Sequence, residues 1–215
     1  MERGGSELVL DNYRGEADRI LSPAAERLSN VNPNHISLAS LICAIMAAMF
    51  YFVGWTSGLL FAAIMVLVSG FLDALDGRVA RISSKASKRG DFVDHVIDRY
   101  SDAIILGAIG MSPWCPVSFA LFALIGVMLT SYMGTQAQAL GLGREYKGIL
   151  GRADRLAVLT VFSLVQFGFV AANPSWFDVN DVLGYSLIAW LMIVFGIAGN
   201  ITALQRAHMI WKSLP

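Results

Sequence analysis

Asp73 and Asp76 stand three residues apart, and Asp94 and Asp98 four apart. Residues at these spacings share one face of a helix, so each pair offers two carboxylates side by side. Both pairs fall in apolar surroundings, where a charged side chain costs roughly 2.5–3.5 kcal/mol on membrane-insertion scales. Four such residues imply something that binds their charge. An all-oxygen ligand set is hard and favours Mg²⁺, Mn²⁺ or Ca²⁺. Helix capping, or pairing with Arg78, Arg81 and Arg99, would account for any one of these aspartates but accounts poorly for all four.

Nearby polar residues read differently. Asp91 and Asp102 lie on the same stripe, three before Asp94 and four after Asp98; helix capping is expected of Asp91 and outer support of the site of Asp102. His95 is expected to pack rather than ligate. Cys43 and Cys115 have no CxxC spacing, which excludes a zinc site or disulfide framework on sequence grounds and leaves packing.

The elements that must position these groups are membrane helices. Of 215 residues, 56% are hydrophobic and the mean hydropathy is +0.59, above the roughly 45–50% apolar content of soluble domains. Crossing a bilayer takes about 20 apolar residues, and six stretches approach this, near 36–55, 58–76, 92–112, 116–140, 153–172 and 181–208. The expected fold is all-α: an integral membrane bundle of six transmembrane helices preceded by an interfacial amphipathic helix. That helix is read at 15–29, where Ile20, Leu21, Ala24, Ala25 and Leu28 share a face; a short soluble cap helix fits the same pattern. The expected division is a segment 1–35 and a transmembrane catalytic domain 36–215, with no linker or repeat between spans. No apolar signal-peptide core is seen among the acidic residues of the first thirty, so the N-terminus is expected to be mature.

Lysines and arginines total 16, as do aspartates and glutamates, so no nucleic-acid partner is expected. All 16 cations fall before the first span, between the second and third or just inside the third, between the fourth and fifth or just inside the fifth, or near the chain's end. Cytoplasmic loops carry such an excess, so both termini and the aspartates are expected on the cytoplasmic side of the cell membrane.

The pattern D-x2-D-G-x2-A-R-x8-G-x3-D-x3-D is met in full by Asp73, Asp76, Gly77, Ala80, Arg81, Gly90, Asp94 and Asp98, eight fixed positions over 26 residues. It resembles the signature of the CDP-alcohol phosphotransferase family. The resemblance implies a phosphoryl-transfer enzyme in which Asp73, Asp76 and Asp94 bind the metal, with Asp98 completing a second metal position or acting as catalytic base. Of these two roles the base is favoured for Asp98, which sits deepest. Asp76, Gly77, Ala80, Arg81, Gly90 and Asn34, the last from the Pro33-Asn34 pair, would shape the CDP pocket. Mg²⁺ or Mn²⁺, as two ions, would be the cofactor; the substrates would be a CDP-lipid and a small phosphorylated alcohol, with membrane lipids around the protein; a homodimer is implied by the same resemblance. The physical reading agrees, because paired divalent ions neutralise a diphosphate and favour in-line displacement.

The acceptor is read from cations. Lys147, Arg152, Arg155 and Arg206 would suit a phosphate-bearing alcohol. The run Ser131-Tyr132-Met133-Gly134-Thr135-Gln136-Ala137-Gln138, followed by Gly151-Arg152-Ala153-Asp154-Arg155, resembles the inositol-phosphate branch of the family. The expected reaction joins the lipid phosphate of CDP-archaeol or CDP-diacylglycerol to myo-inositol 1-phosphate and releases CMP. Glycerol 3-phosphate is the alternative acceptor, and a divalent-cation transporter is the non-enzyme alternative.

Overall fold

The computed structural model describes residues 14–143, 148–173 and 184–214, with the backbone alone for 14–20. Among these residues the regular structure is helical: α1 (Arg14–Arg27), α2 (Pro33–Val53), α3 (Thr56–Ile82), α4 (Lys88–Gly110), α5 (Val117–Ala139), α6 (Arg152–Ala172) and α7 (Leu187–Ser213).

Local chemistry sets the ends of these helices. Asn32 caps α2 by accepting from the Asn34 backbone N–H at 3.1 Å, and Pro33 occupies the first turn, where its missing N–H leaves nothing unpaired. Gly54 stops α2 at φ +75°, a left-handed conformation that suits glycine; a Cβ there would also meet the Pro113 ring at 2.6 Å. α3 continues to Ile82, well past the expected end at 76, so Gly77 to Arg81 stay helical. α7 starts at Leu187 rather than 181, and 174–183 lie outside the described residues.

Five helices, α2, α3, α5, α6 and α7, are long and apolar enough to cross a bilayer, and the chain is a multi-pass membrane protein. α4 coincides with the remaining expected span but is too polar to qualify by composition, because Asp91, Asp94, His95, Asp98, Arg99 and Asp102 fall in its first two-thirds.

α2 packs on α3 and α4, α3 on α6, α4 on α5, and α5 and α6 on α7. Tyr51, Leu59, Val66, Ile105, Ile109 and Met192 are buried in the shared core. Leu67, Ile125, Val161 and Leu204 point outward, a surface suited to hydrocarbon. Small polar groups tie neighbours together, as expected where apolar burial against lipid gains little. Ser40 and Ser69 each donate to the other's carbonyl, at 2.9 and 3.0 Å. Tyr51 and Ser163 share a hydrogen bond of 2.6 Å. Free Cys43 and Cys115 pack within separate parts of the fold.

The apolar face of α1 differs from its expected use at the membrane surface. Ala25 is fully buried with Ile36 of α2 and with Leu75 and Val79 of α3, flanked by Leu21, Ala24 and Leu28. Protein therefore covers much of it.

α5 and α7 approach through glycines. A Cβ on Gly199 would lie 2.6 Å from the Gly126 backbone, and one on Gly196 would penetrate the Phe122 ring. Gly168 of α6, with nothing within 4 Å of its Cβ position, is open. Gly199→Ala should destabilise the bundle by about 1–3 kcal/mol, whereas Gly168→Ala should be neutral or slightly stabilising. Thermal unfolding in detergent checks the contrast, and equal midpoints for the two variants would contradict this packing.

Candidate active site

The motif aspartates sit on two helices that α2 holds across from each other: Asp73 and Asp76 in the last third of α3, Asp94 and Asp98 in the first half of α4. Ser87 starts α4 by accepting from the Gly90 N–H at 3.1 Å. The cap expected of Asp91 is thus supplied by Ser87, and Asp91 instead faces His95, 3.5 Å from its Nε2. The carboxylates act on one another: Asp73 and Asp94 repel Asp76, and the same two repel Asp98. Asp76 is only 5% exposed.

α6 answers this negative charge from its first turn. Arg152 Nη1 lies 2.6 Å from Asp73 Oδ2 and 2.8 Å from Asp98 Oδ1, and its Nε 3.5 Å from Asp102 Oδ1. Arg155 Nη2 donates to Asp102 Oδ2 at 2.8 Å, and Arg99 Nη1 lies 3.5 Å from the same oxygen. Asp102, buried, is therefore the shared partner of three guanidinium groups, the supporting role expected of it. Asp154 pairs with none of them, because it accepts from the Gly151 N–H at 3.0 Å and caps α6 itself.

The donor set fits a hard divalent cation. It is built from carboxylates that repel one another, and the buried Asp73 Oδ1 finds no hydrogen-bond donor among the described residues. A bound divalent cation satisfies such an oxygen. His95 stands closer to this chemistry than its expected packing role: one ligand atom each from Asp94, His95 and Asp98 lie within 4.8 Å of one another.

Beside the carboxylates opens a cleft of about 560 Å³. Gly77, Ala80, Arg81, Gly90 and Asn34, all expected to bind CDP, line it together with Asp94, Lys85 and Arg89. A Cβ on Gly77 would meet nothing closer than Arg81 Nη1 at 3.7 Å, and one on Gly90 only Ser87 Oγ at 3.4 Å and Asn34 Oδ1 at 3.7 Å. Packing within the protein does not demand glycine at either position, so their smallness serves the open cleft. Ser37, which sequence reasoning missed, lines the same cleft and donates to Asp76 Oδ2. Its position one turn after Pro33 was visible in the sequence; its partner 39 residues away was not.

The cations expected to bind an acceptor phosphate are not gathered at one point. Arg152 and Arg155 lie with the aspartates. Arg206 is buried between α5 and α7 and donates to the Thr130 carbonyl at 2.7 Å. Lys147 lies outside the described residues. Ser131, Tyr132 and Thr135 border a second hollow of about 260 Å³ with His95 and Arg99.

Among the described residues, Asp102 is the only carboxylate in an ion pair with Arg155. Asp102→Ala should therefore lower stability by about 3–5 kcal/mol by leaving a buried cation unpaired, and Asp102→Ala with Arg155→Leu should recover much of the loss. Unfolding midpoints check this; an unchanged midpoint for Asp102→Ala would contradict it.

The family model for CDP-alcohol phosphatidyltransferase matches residues 30–199. An archaetidylinositol phosphate synthase of Pyrococcus horikoshii is 32% identical over 78% of this chain and 91% of its own. One from Methanothermobacter thermautotrophicus is 29% identical over 97% of both chains. A crystal structure of Mycobacterium tuberculosis phosphatidylinositol phosphate synthase with CDP-DAG bound shares the fold, with a TM-score of 0.70 at 22% identity, covering 90% of this chain and 94% of that one. The chain belongs to the CDP-alcohol phosphatidyltransferase family, as a phosphotransferase.

Proposed function

We propose that this enzyme transfers the lipid phosphate of CDP-archaeol or CDP-diacylglycerol to the hydroxyl of myo-inositol 1-phosphate, with release of CMP. One observation carries the choice of a phosphorylated acceptor. Arg152 Nη2, buried beside Asp98, has no hydrogen-bond acceptor among the described residues, and a phosphate oxygen supplies a charged one, which binds a guanidinium about twice as strongly as the neutral oxygen of an alcohol. Relatives named as inositol-phosphate synthases support the same acceptor. The hollow bordered by Ser131, Tyr132 and Thr135 adds hydroxyl groups suited to a polyol.

In this reading the 560 Å³ cleft takes the CDP group, with Gly77, Ala80 and Gly90 admitting it close to the backbone and Arg81 meeting its phosphates. Asp73, Asp76 and Asp94 would hold Mg²⁺ or Mn²⁺, with Asp98 available to complete a second metal position. Divalent cations bound there would neutralise the diphosphate and make the lipid phosphorus more electrophilic. Asp98 accepts the proton of the acceptor hydroxyl, whose oxygen attacks that phosphorus as the bond to CMP breaks. Arg152 and Arg155 orient the acceptor phosphate. α4 forms the sixth span; at 23 residues it is about 35 Å long, enough to cross. The positive loops support a cytoplasmic site and cytoplasmic termini, with the enzyme acting as a homodimer.

Purified protein with Mg²⁺ or Mn²⁺ should release CMP from a CDP-lipid when myo-inositol 1-phosphate is present and far less with free inositol. Faster release with glycerol 3-phosphate would replace the acceptor, and ion flux without CMP release would defeat the reaction itself. Asp98→Asn should lower turnover by about 100-fold or more with CDP-lipid still bound. Loss of CDP-lipid binding as the only change would make Asp98 a ligand rather than the base.

A further inference from the structure

The first turn of α2 meets the acidic end of α3 through one side chain. Ser37 is 4% exposed and Asp76 5%. Ser37 Oγ donates to Asp76 Oδ2 and lies 3.2 Å from the carbonyl of Pro33. A hydroxyl has one hydrogen to give, and the charged acceptor wins it, since hydrogen bonds to ionised groups are roughly twice as strong as neutral ones.

We propose that Ser37 is a positioning residue that sets the Asp76 carboxylate for metal binding; this rests on the reading of Asp76 as a metal ligand. Asp73 and Asp94 repel Asp76, so an unrestrained carboxylate turns away from them, which is away from the point where a shared cation sits. The Ser37 hydroxyl opposes that turn. It is a donor from a different helix, and α2 holds it in place through the Asn32 cap and the Pro33 start. Ser37 also lines the cleft with Pro33 and Asn34. One residue thus joins the wall of the nucleotide cleft to a metal ligand, and the register of α2 fixes both at once. Outer hydrogen bonds of this kind tune metal affinity by about 10–100-fold.

The test titrates Mn²⁺ alone into the full chain in detergent and reads free Mn²⁺ by electron paramagnetic resonance. Ser37→Ala should weaken Mn²⁺ binding by about 10–100-fold, while Ser37→Thr, which keeps the hydroxyl, should stay within about threefold of the parent. Ser37→Cys keeps the volume but donates weakly, and it should follow Ser37→Ala; it decides the matter if Ser37→Ala does not fold. Parent-like Mn²⁺ binding by the alanine or cysteine variant overturns the proposal, as does a threonine variant as weak as alanine. A parent chain that takes up no Mn²⁺ overturns the metal reading itself, and the proposal with it.

Discussion

Carboxylates that face one another away from water repel strongly, because the interaction of two charges grows as the surrounding dielectric falls. This bundle holds four of them, on α3 and α4, with a fifth, Asp102, one turn further along. The arrangement of the other helices follows from that. α2 packs on both acidic helices and keeps their faces opposed. α6 begins where it can send Arg152 between Asp73 and Asp98 and Arg155 onto Asp102. Its own first acid, Asp154, is occupied in capping, so it does not compete for these arginines.

Remote from this charge, the fold is closely packed. α5 and α7 meet backbone to backbone at Gly126, Gly196 and Gly199, and Thr130 donates to the Gly199 carbonyl at 2.8 Å. The apolar core from Tyr51 to Met192 links these helices to α2, α3 and α6. A preorganised site needs such a frame, since misplacement of a reacting group by about 1 Å costs on the order of 100-fold in rate. The cleft, by contrast, is lined by two glycines, Gly77 and Gly90, that no packing requirement explains.

Much of this was legible in the sequence because it is local. Hydropathy located the helices, and asparagine and proline marked the start of α2. The motif around the aspartates pointed to the family. What was not legible depends on contacts between distant residues. The apolar second half of α4 dominates its hydropathy pattern and suggests an ordinary span, yet its acidic first part makes the helix too polar to qualify as one by composition. α1 has an apolar face that composition alone assigns to lipid, whereas Ala25 meets Leu75 and Val79. Ser37 looked like any helix serine until α3 was laid beside it. Arg152, Arg155 and Arg206 formed one group by charge alone, but the fold sends two of them to the aspartates and the third to a carbonyl of α5.

The central claim is that Asp73, Asp76, Asp94 and Asp98 form a single divalent-cation site. The most direct measurement is anomalous scattering from crystals of the protein soaked with Mn²⁺. The account predicts anomalous density between the α3 and α4 carboxylates, with Asp73, Asp76 and Asp94 in its coordination sphere. Density confined to Asp91 and His95, or none near Asp73 and Asp76 in crystals that hold Mn²⁺ elsewhere, would contradict it.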